Sequence, residues 1–319
     1  MTSSKPTIAG LFAGVGGIEL GFQQAGFTPV FANEIDKYAA RTYQANHSHE
    51  LNVGDIGSLA SDAISTDLTV LAGGFPCQPF SVAGYRKGFE DDRGNVFRDI
   101  VRLIQDRQPE VLFLENVKNL RGHDGGNTYR VIQESLEASG YTVVAKVLNS
   151  SEYGNIPQNR ERVYIIGFRE RAANVHFQWP KPVKLSRPLG ELIDFEEKVE
   201  SKYYYTDARP FWGLLKAEVT KSNTIYQWRR QYVRQNKSGV CPTLTANMGM
   251  GGHNVPIIKS RYGIRKLTPR ECFNIMGFPE DFVLPSDLAD SQLYKQAGNS
   301  VVVPVIESLA KEISQAIRR

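Results

Sequence analysis

The sequence predicts an α/β fold: a mostly parallel sheet with helices on both faces, accompanied by a second, smaller domain. Three observations lead there. Short apolar runs alternate with helical patterns along residues 7–168, giving six or seven strands. One of these runs, Leu68–Gly74, is apolar but for Thr69, as a strand buried on both faces should be. Beyond Trp179-Pro180-Lys181-Pro182 the alternation stops, and turns, aromatics and arginines take over.

The elements follow in order. Thr7–Ala13 is an apolar run that ends in Gly14, Gly16 and Gly17, and a helical pattern then continues to Gly26. Thr28–Asn33 reads as a strand closed by Glu34, Ile35–Asn46 as a helix, and Leu51–Ile56 as a strand edge carrying Asp55. Leu68–Gly73 leads into GGFPCQPFSVAGYRKGF. Val96–Gln105 has helical spacing, Val111–Leu114 is a strand ending in Glu115-Asn116-Val117, and Thr128–Ser139 is a helix stopped by Gly140. Tyr141–Leu148 and Val163–Phe168 are two further strands. Tyr262–Phe278 reads as a connecting helix with Thr268 as N-cap and Pro269 at the first helical position. Gln296–Ser300 reads as a tight turn and Val301–Ile317 as a final helix.

Composition narrows the class. The chain has 319 residues, 41% hydrophobic and 23% charged, enough for a sizeable core and about two domains. A formal net charge of +4 agrees with a polyanionic partner without requiring one. The three cysteines, Cys77, Cys241 and Cys272, are widely spaced, so neither a disulfide framework nor a zinc site is expected. The opening MTSSKPTIAG has no signal-peptide core, and no apolar run approaches a membrane span. A soluble cytoplasmic protein is expected.

Cys77 lies between Pro76 and Pro79, just past a buried strand. Each proline restricts its own backbone and that of the residue before it, so the thiol is held in place. Chemistry in open α/β sheets collects beyond the carboxyl ends of strands. A small buried side chain and a positioned nucleophile both fit this loop alone. Glu115 ends a neighbouring strand, where its carboxylate can bind a ring nitrogen and an exocyclic amine together. Arg160 and Arg162, in QNRER, fall on one face of a strand by alternation, where two guanidinium groups can lower a thiol pKa and bind a carbonyl oxygen. The glycine turn suits close approach of a ligand, and Glu34 at the next strand end suits ribose hydroxyls. Asp55 can reach an adenine amino group. The turn is not a full GxGxxG, because Glu19 stands where the third glycine belongs, which favours an adenosine ligand without a pyrophosphate.

In this order, FAGVGG, Glu34, GDI at 54–56, GFPCQPFS, Arg93-Gly94, ENV at 115–117, QNRER, RKLTPRECFNIMGFP and QAGNSVVVPV resemble the C5-cytosine DNA methyltransferases, most closely the short bacterial modification enzymes. The likeness covers the chain except roughly 190–255. One departure is Asn155 in YGNIPQ, where many members run from YG directly to a hydrophobic residue.

The resemblance implies a Rossmann-like sheet binding S-adenosyl-L-methionine, with no metal. It matches Phe12, Ala13, Gly14, Gly16, Gly17, Glu34, Ile35, Asp55, Ile56, Pro76, Val96, Asn299 and Val301 to the cofactor site. Cys77 matches the nucleophile, Glu115 and Arg162 the residues that hold the cytosine, and Arg160 lies close by. It implies a catalytic domain at 1–189 completed by 292–319, a target-recognition domain at 190–263 and a hinge at 264–291. Duplex DNA is the implied substrate, and a restriction endonuclease acting separately an implied partner. A monomer in the bacterial cytosol, at the nucleoid when acting, is expected. Arg86 and Lys87 read as part of a lid over DNA, with Gly84 and Gly88 beside them. Arg229, Arg230, Arg234, Thr243 and Asn247 read as DNA contacts, because arginine suits guanine or phosphate and asparagine suits adenine. His253 has no ligand cluster nearby. A tRNA cytosine methyltransferase and a non-catalytic DNA-binding relative are the competing readings.

Overall fold

In the computed structural model, residues 5–76, 96–250 and 254–318 are described. Cys77, Arg86, Lys87, Gly84, Gly88, Arg93, Gly94 and His253 therefore lie outside the described residues. The chain forms two compact units, one of residues 1–148, 161–181 and 306–319, the other of 149–160 and 182–305. Strands are numbered in chain order across both.

The first unit is built on a seven-stranded sheet. Its strands are β1 (Thr7–Leu11), β2 (Thr28–Glu34), β3 (Glu50–Val53), β4 (Val70–Gly74), β5 (Val111–Val117), β6 (Thr142–Asn149) and, after the two-residue β7 (Gln158–Asn159) of the second unit, β8 (Glu161–Phe168). Their order is β3-β2-β1-β4-β5-β8-β6. The pairings among β1 to β5 are parallel, and β8 runs antiparallel to β5. Alternation places Leu112 and Leu114 in one core with Phe97, Ile100, Leu103 and Ile104 of helix Val96–Arg107 and with Ile132 and Leu136 of helix Asn127–Ala138. On the other face Phe113 meets Phe22 of helix Gly17–Gln24 edge to face, with ring centres 5.1 Å apart. Burial on both faces explains the unbroken apolar runs. Helix Val303–Ile317 reaches this unit at Ile306, whose Cβ lies 2.6 Å from where a Cβ on Gly21 would sit, so only glycine fits there.

The second unit contains a four-stranded sheet, ordered β10-β9-β12-β13, from β9 (Tyr226–Trp228), β10 (Val233–Gln235), β12 (Ile257–Ser260) and β13 (Gly263–Lys266). The short β11 (Cys241–Pro242) pairs with β7. Leu215, Val219, Tyr226, Val233, Ile257 and Ile264 form its core.

Two sequence expectations change here. The connecting helix over Tyr262–Phe278 is instead β13 followed by a helix at Pro269–Ile275. Gly263 turns the chain with φ 138°, pairing β13 antiparallel with β12. Thr268 and Glu271 then form a capping box, and Glu271 also binds buried Arg265 through two 2.7 Å contacts. The expected turn at Gln296–Ser300 is the last turn of helix Asp290–Asn299. Gly298 serves close packing, since a Cβ there would sit 2.1 Å from the carbonyl carbon of Thr245.

Candidate active site

Parallel pairing brings the strand ends of the first unit to one edge. Leu11 stands opposite both Asn33 and Gly73, Glu34 opposite Val53, Gly74 opposite Glu115, and Val117 opposite Arg162. Because β8 is antiparallel, its beginning meets the end of β5. Glu115 and Arg162 are thus diagonal neighbours on one face, and Arg162 Nε lies 3.0 Å from Glu115 Oε1. Both side chains are largely buried. A Cβ on Gly74 would sit 3.4 Å from Glu115 Oε2, so the glycine leaves the carboxylate its space. Asn116, on the opposite face, donates from Nδ2 to the carbonyl of Phe75 at 2.9 Å and accepts from the amide of Val117 at 2.8 Å. It anchors the chain two residues before Cys77, beside the exposed Pro76. Residue-type reasoning passed over Asn116; its signal was its place in ENV at a strand end.

Arg160 is a correction. Alternation had paired it with Arg162, but its guanidinium is buried in the second unit. Nη1 donates to Leu244 O at 2.7 Å, and Nη2 donates to Gly298 O at 3.3 Å and Ser300 O at 2.5 Å. Gln158 works alongside it, donating to Ile275 O at 3.0 Å and accepting from the amide of Leu244 at 3.2 Å. Arg160 thus ties the PTLT segment to the GNS segment. Asn299 is exposed and Val301 buried beside those carbonyls. Thr243 donates to Asn159 O at 2.6 Å, and Asn247 is exposed. The departure at Asn155 also has a physical account. Asn155 adopts φ 49°, a conformation asparagine tolerates, and its side chain accepts from the amides of Ser186 and Arg187 at 2.8 and 3.3 Å.

The glycine turn holds three positive-φ residues at alternate positions: Phe12 at 54°, Gly14 at 58° and Gly16 at 87°. Phe12 is the costly one, since it carries a bulky side chain there. Glu34 accepts from the amide of Gly14 at 2.7 Å and from that of Asp36 at 2.6 Å, fixing the turn against β2. Ala13 is half-buried and Gly17 opens the helix. Ile35 is 63% exposed and Val53 49%, which leaves an apolar patch beyond β2 and β3. Asp55 caps the short turn Ile56–Ser58 by accepting from Gly57 N at 2.7 Å, while Ile56 is buried. Val96 opens its helix half-buried against the core.

Glu19 is fully buried, and the strand makes room for it. A Cβ on Gly10 would fall 1.8 Å from its Oε1, so only glycine fits at that place in β1. Neither carboxyl oxygen meets a hydrogen-bond partner among the described residues. Burial, with Glu34 adding repulsion, pushes its carboxyl up to about 8. Nearby, burial lowers His47 to about 4, with His49 contributing.

The family model described as C-5 cytosine-specific DNA methylase matches residues 7–315. The chain is 56% identical over 313 residues to the type II methyltransferase M.Bsp6I of Bacillus sp. (strain RFL6), covering 97% of this chain and 99% of that one. It is 43% identical to the type II methyltransferase M.NgoBI of Neisseria gonorrhoeae, covering 94% and 90%. Among solved structures, the S. pombe Dnmt2 methyltransferase superposes with a TM-score of 0.76 at 20% identity, covering 99% of this chain and 100% of that one. A putative DNA modification methyltransferase encoded within an E. coli prophage gives 0.73 at 21% identity, covering 99% and 100%. At these identities the structural likeness is one of fold.

Proposed function

The chain belongs to the C-5 cytosine-specific DNA methylase family, and from that premise we propose that it methylates C5 of a flipped-out cytosine in duplex DNA through a covalent adduct with Cys77. The observation that carries this reading is the Glu115–Arg162 pair at the end of β5, beside the strand that runs into Pro76 and Cys77. A cytosine ring is too electron-poor at C5 to accept a methyl unaided. Addition of the Cys77 thiolate to C6 makes C5 nucleophilic, and once C5 carries the methyl it loses its proton to a base while the thiolate leaves C6, restoring the aromatic ring. Glu115 hydrogen-bonds N3 and N4 and so favours the protonated ring, while Arg162 binds O2 and orients Glu115. A cytosine inside a duplex is out of reach of these groups, so the base leaves the stack.

The family implies S-adenosyl-L-methionine, and the glycine turn fits it. Glu34 uses one lone pair on each oxygen for backbone amides, leaving others for two ribose hydroxyls. Ile35 offers an exposed apolar cover for a flat base, and Asp55 retains a second oxygen beyond its cap. Gly14 faces open space, where a ligand can approach its backbone. Phe12, Pro76 and Val96 complete this set, with Asn299 and Val301 assigned by the family pattern. The cofactor supplies an electrophilic sulfonium methyl. In this reading Arg160 is a scaffold residue, and a separately acting restriction endonuclease is the expected partner.

Transfer of labelled methyl to duplex DNA, followed by bisulfite sequencing, tests the reading. Wild-type protein should label one cytosine within a fixed sequence. Cys77→Ser should bind DNA and cofactor yet transfer nothing, and normal turnover by that variant would end the proposal. Labelling of tRNA but not duplex DNA would move the substrate to RNA.

A further inference from the structure

The second unit presents one arginine in a backbone state that arginine disfavours. β9 and β10 pair with Trp228 opposite Val233, and the amide of Arg229 donates to Tyr232 O at 2.9 Å. Arg230 and Gln231 are left as a two-residue loop. Arg230 has φ 67°, a position that glycine or asparagine usually takes in such hairpins. Residues 229–232 are all exposed, and the side chains of Arg229, Arg230 and Arg234 have no ion pair or hydrogen bond among the described residues.

Below the tip the hairpin is braced. Tyr226 is buried, and its hydroxyl accepts from Lys221 N at 2.9 Å. Trp228 stacks on Phe211 with ring centres 4.7 Å apart and planes 18° apart. The amide of Asn236 donates to Ile225 O at 2.8 Å, and its Oδ1 accepts from Ser238 Oγ at 2.7 Å.

A guanidinium that only neutralises phosphate works from many rotamers and gains nothing from a disfavoured backbone. Reading a base edge is different. Two parallel N–H donors must meet guanine O6 and N7 in one plane, which demands a fixed backbone. Disfavoured conformations persist where the surroundings hold them, and they cluster at functional sites. We propose that Arg230 reads a guanine of the target sequence in the major groove, while Arg229 and Arg234 on the flanking strand ends contact phosphates. This rests on the reading of the protein as a duplex-DNA methyltransferase.

The test uses full-length protein, the duplex target found by bisulfite sequencing, and duplexes with each base pair of that target replaced in turn. Methylation rates and DNA affinity are followed across salt concentrations. Arg230→Gly should melt no lower than wild type and lose about 10- to 100-fold of its discrimination at one guanine. Arg230→Lys keeps the charge without the fork; it should lose that discrimination with an unchanged salt slope. Arg234→Ala should weaken binding alike on every duplex and lower the salt slope by about one. Wild-type discrimination in both Arg230 variants, with Arg230→Gly behaving like Arg234→Ala, would make Arg230 a phosphate contact and overturn the proposal. Absence of methyl transfer to any duplex by wild-type protein would instead strike the functional reading beneath it.

Discussion

Arg162 and Arg160 are two residues apart, yet they end in environments of opposite character. Arg162 opens β8 and faces the carboxylate of Glu115 at 3.0 Å, with both side chains at the strand-end edge of the first unit. Arg160 belongs to the second unit, where three backbone carbonyls surround its guanidinium. One arginine keeps a charged partner at the strand-end edge. The other is spent on joining two segments of backbone. The residue type is the same; strand register and burial separate an ion pair at a strand end from a backbone brace.

Substitutions at the two places should break in different ways. At the first, Glu115→Gln retains shape but loses the charge that favours a protonated ring. Single-turnover methyl transfer should fall about 10²- to 10⁴-fold with little change in melting temperature. An unaltered rate would remove Glu115 from the chemistry. At the second, Arg160→Met keeps bulk and withdraws three hydrogen bonds from buried carbonyls. Stability should drop by about 3 kcal/mol in denaturant titration. Methyl transfer in the folded protein should fall far less than for Glu115→Gln. If the denaturation midpoint stays put, the scaffold assignment of Arg160 fails.

Glu19 sharpens the contrast, because it is buried with no hydrogen-bond partner for its carboxyl among the described residues. Its carboxyl, pushed up to about 8 from the ordinary 4.5, holds its proton more tightly in the folded state. The associated stability is fully present below about pH 4.5 and is lost as pH rises through about 8. Of the groups beside it, Glu34 adds repulsion on ionisation, and His47, lowered to about 4, stays neutral across that window. Glu19→Gln should abolish this slope. Between pH 6 and pH 9 the wild type should lose on the order of 2–3 kcal/mol more stability than the variant, read from denaturant titrations at both pH values. Parallel pH profiles for the two proteins would show that Glu19 does not titrate in this range.

Much of the first unit was legible because local patterns and tertiary environment agree there. A strand buried on both faces must be almost wholly apolar, so Leu68–Gly74 and Val111–Leu114 announced themselves. Glycines at 14 and 16 mark a turn with positive φ. The second unit was less legible, since its strands are short and their partners distant. β13 was absorbed into an expected helix, because only pairing with β12 distinguishes Gly263–Lys266 from a helix start. At Gly298 the sequence signal was a glycine, but its reason was the Thr245 backbone pressed against it from far along the chain.

The sequence by itself determined the α/β class, the glycine turn with Glu34, and the placing of Glu115 at a strand end, because these rest on periodicity, strand ends and intrinsic chemistry. Only the tertiary structure decided that Glu115 faces Arg162, that Asn116 holds Phe75, that Gly10 makes room for Glu19, and that Arg160 serves the scaffold. Those outcomes depend on strand order, antiparallel register and close backbone approach. They arise between residues distant in the chain, where spacing along it carries no information.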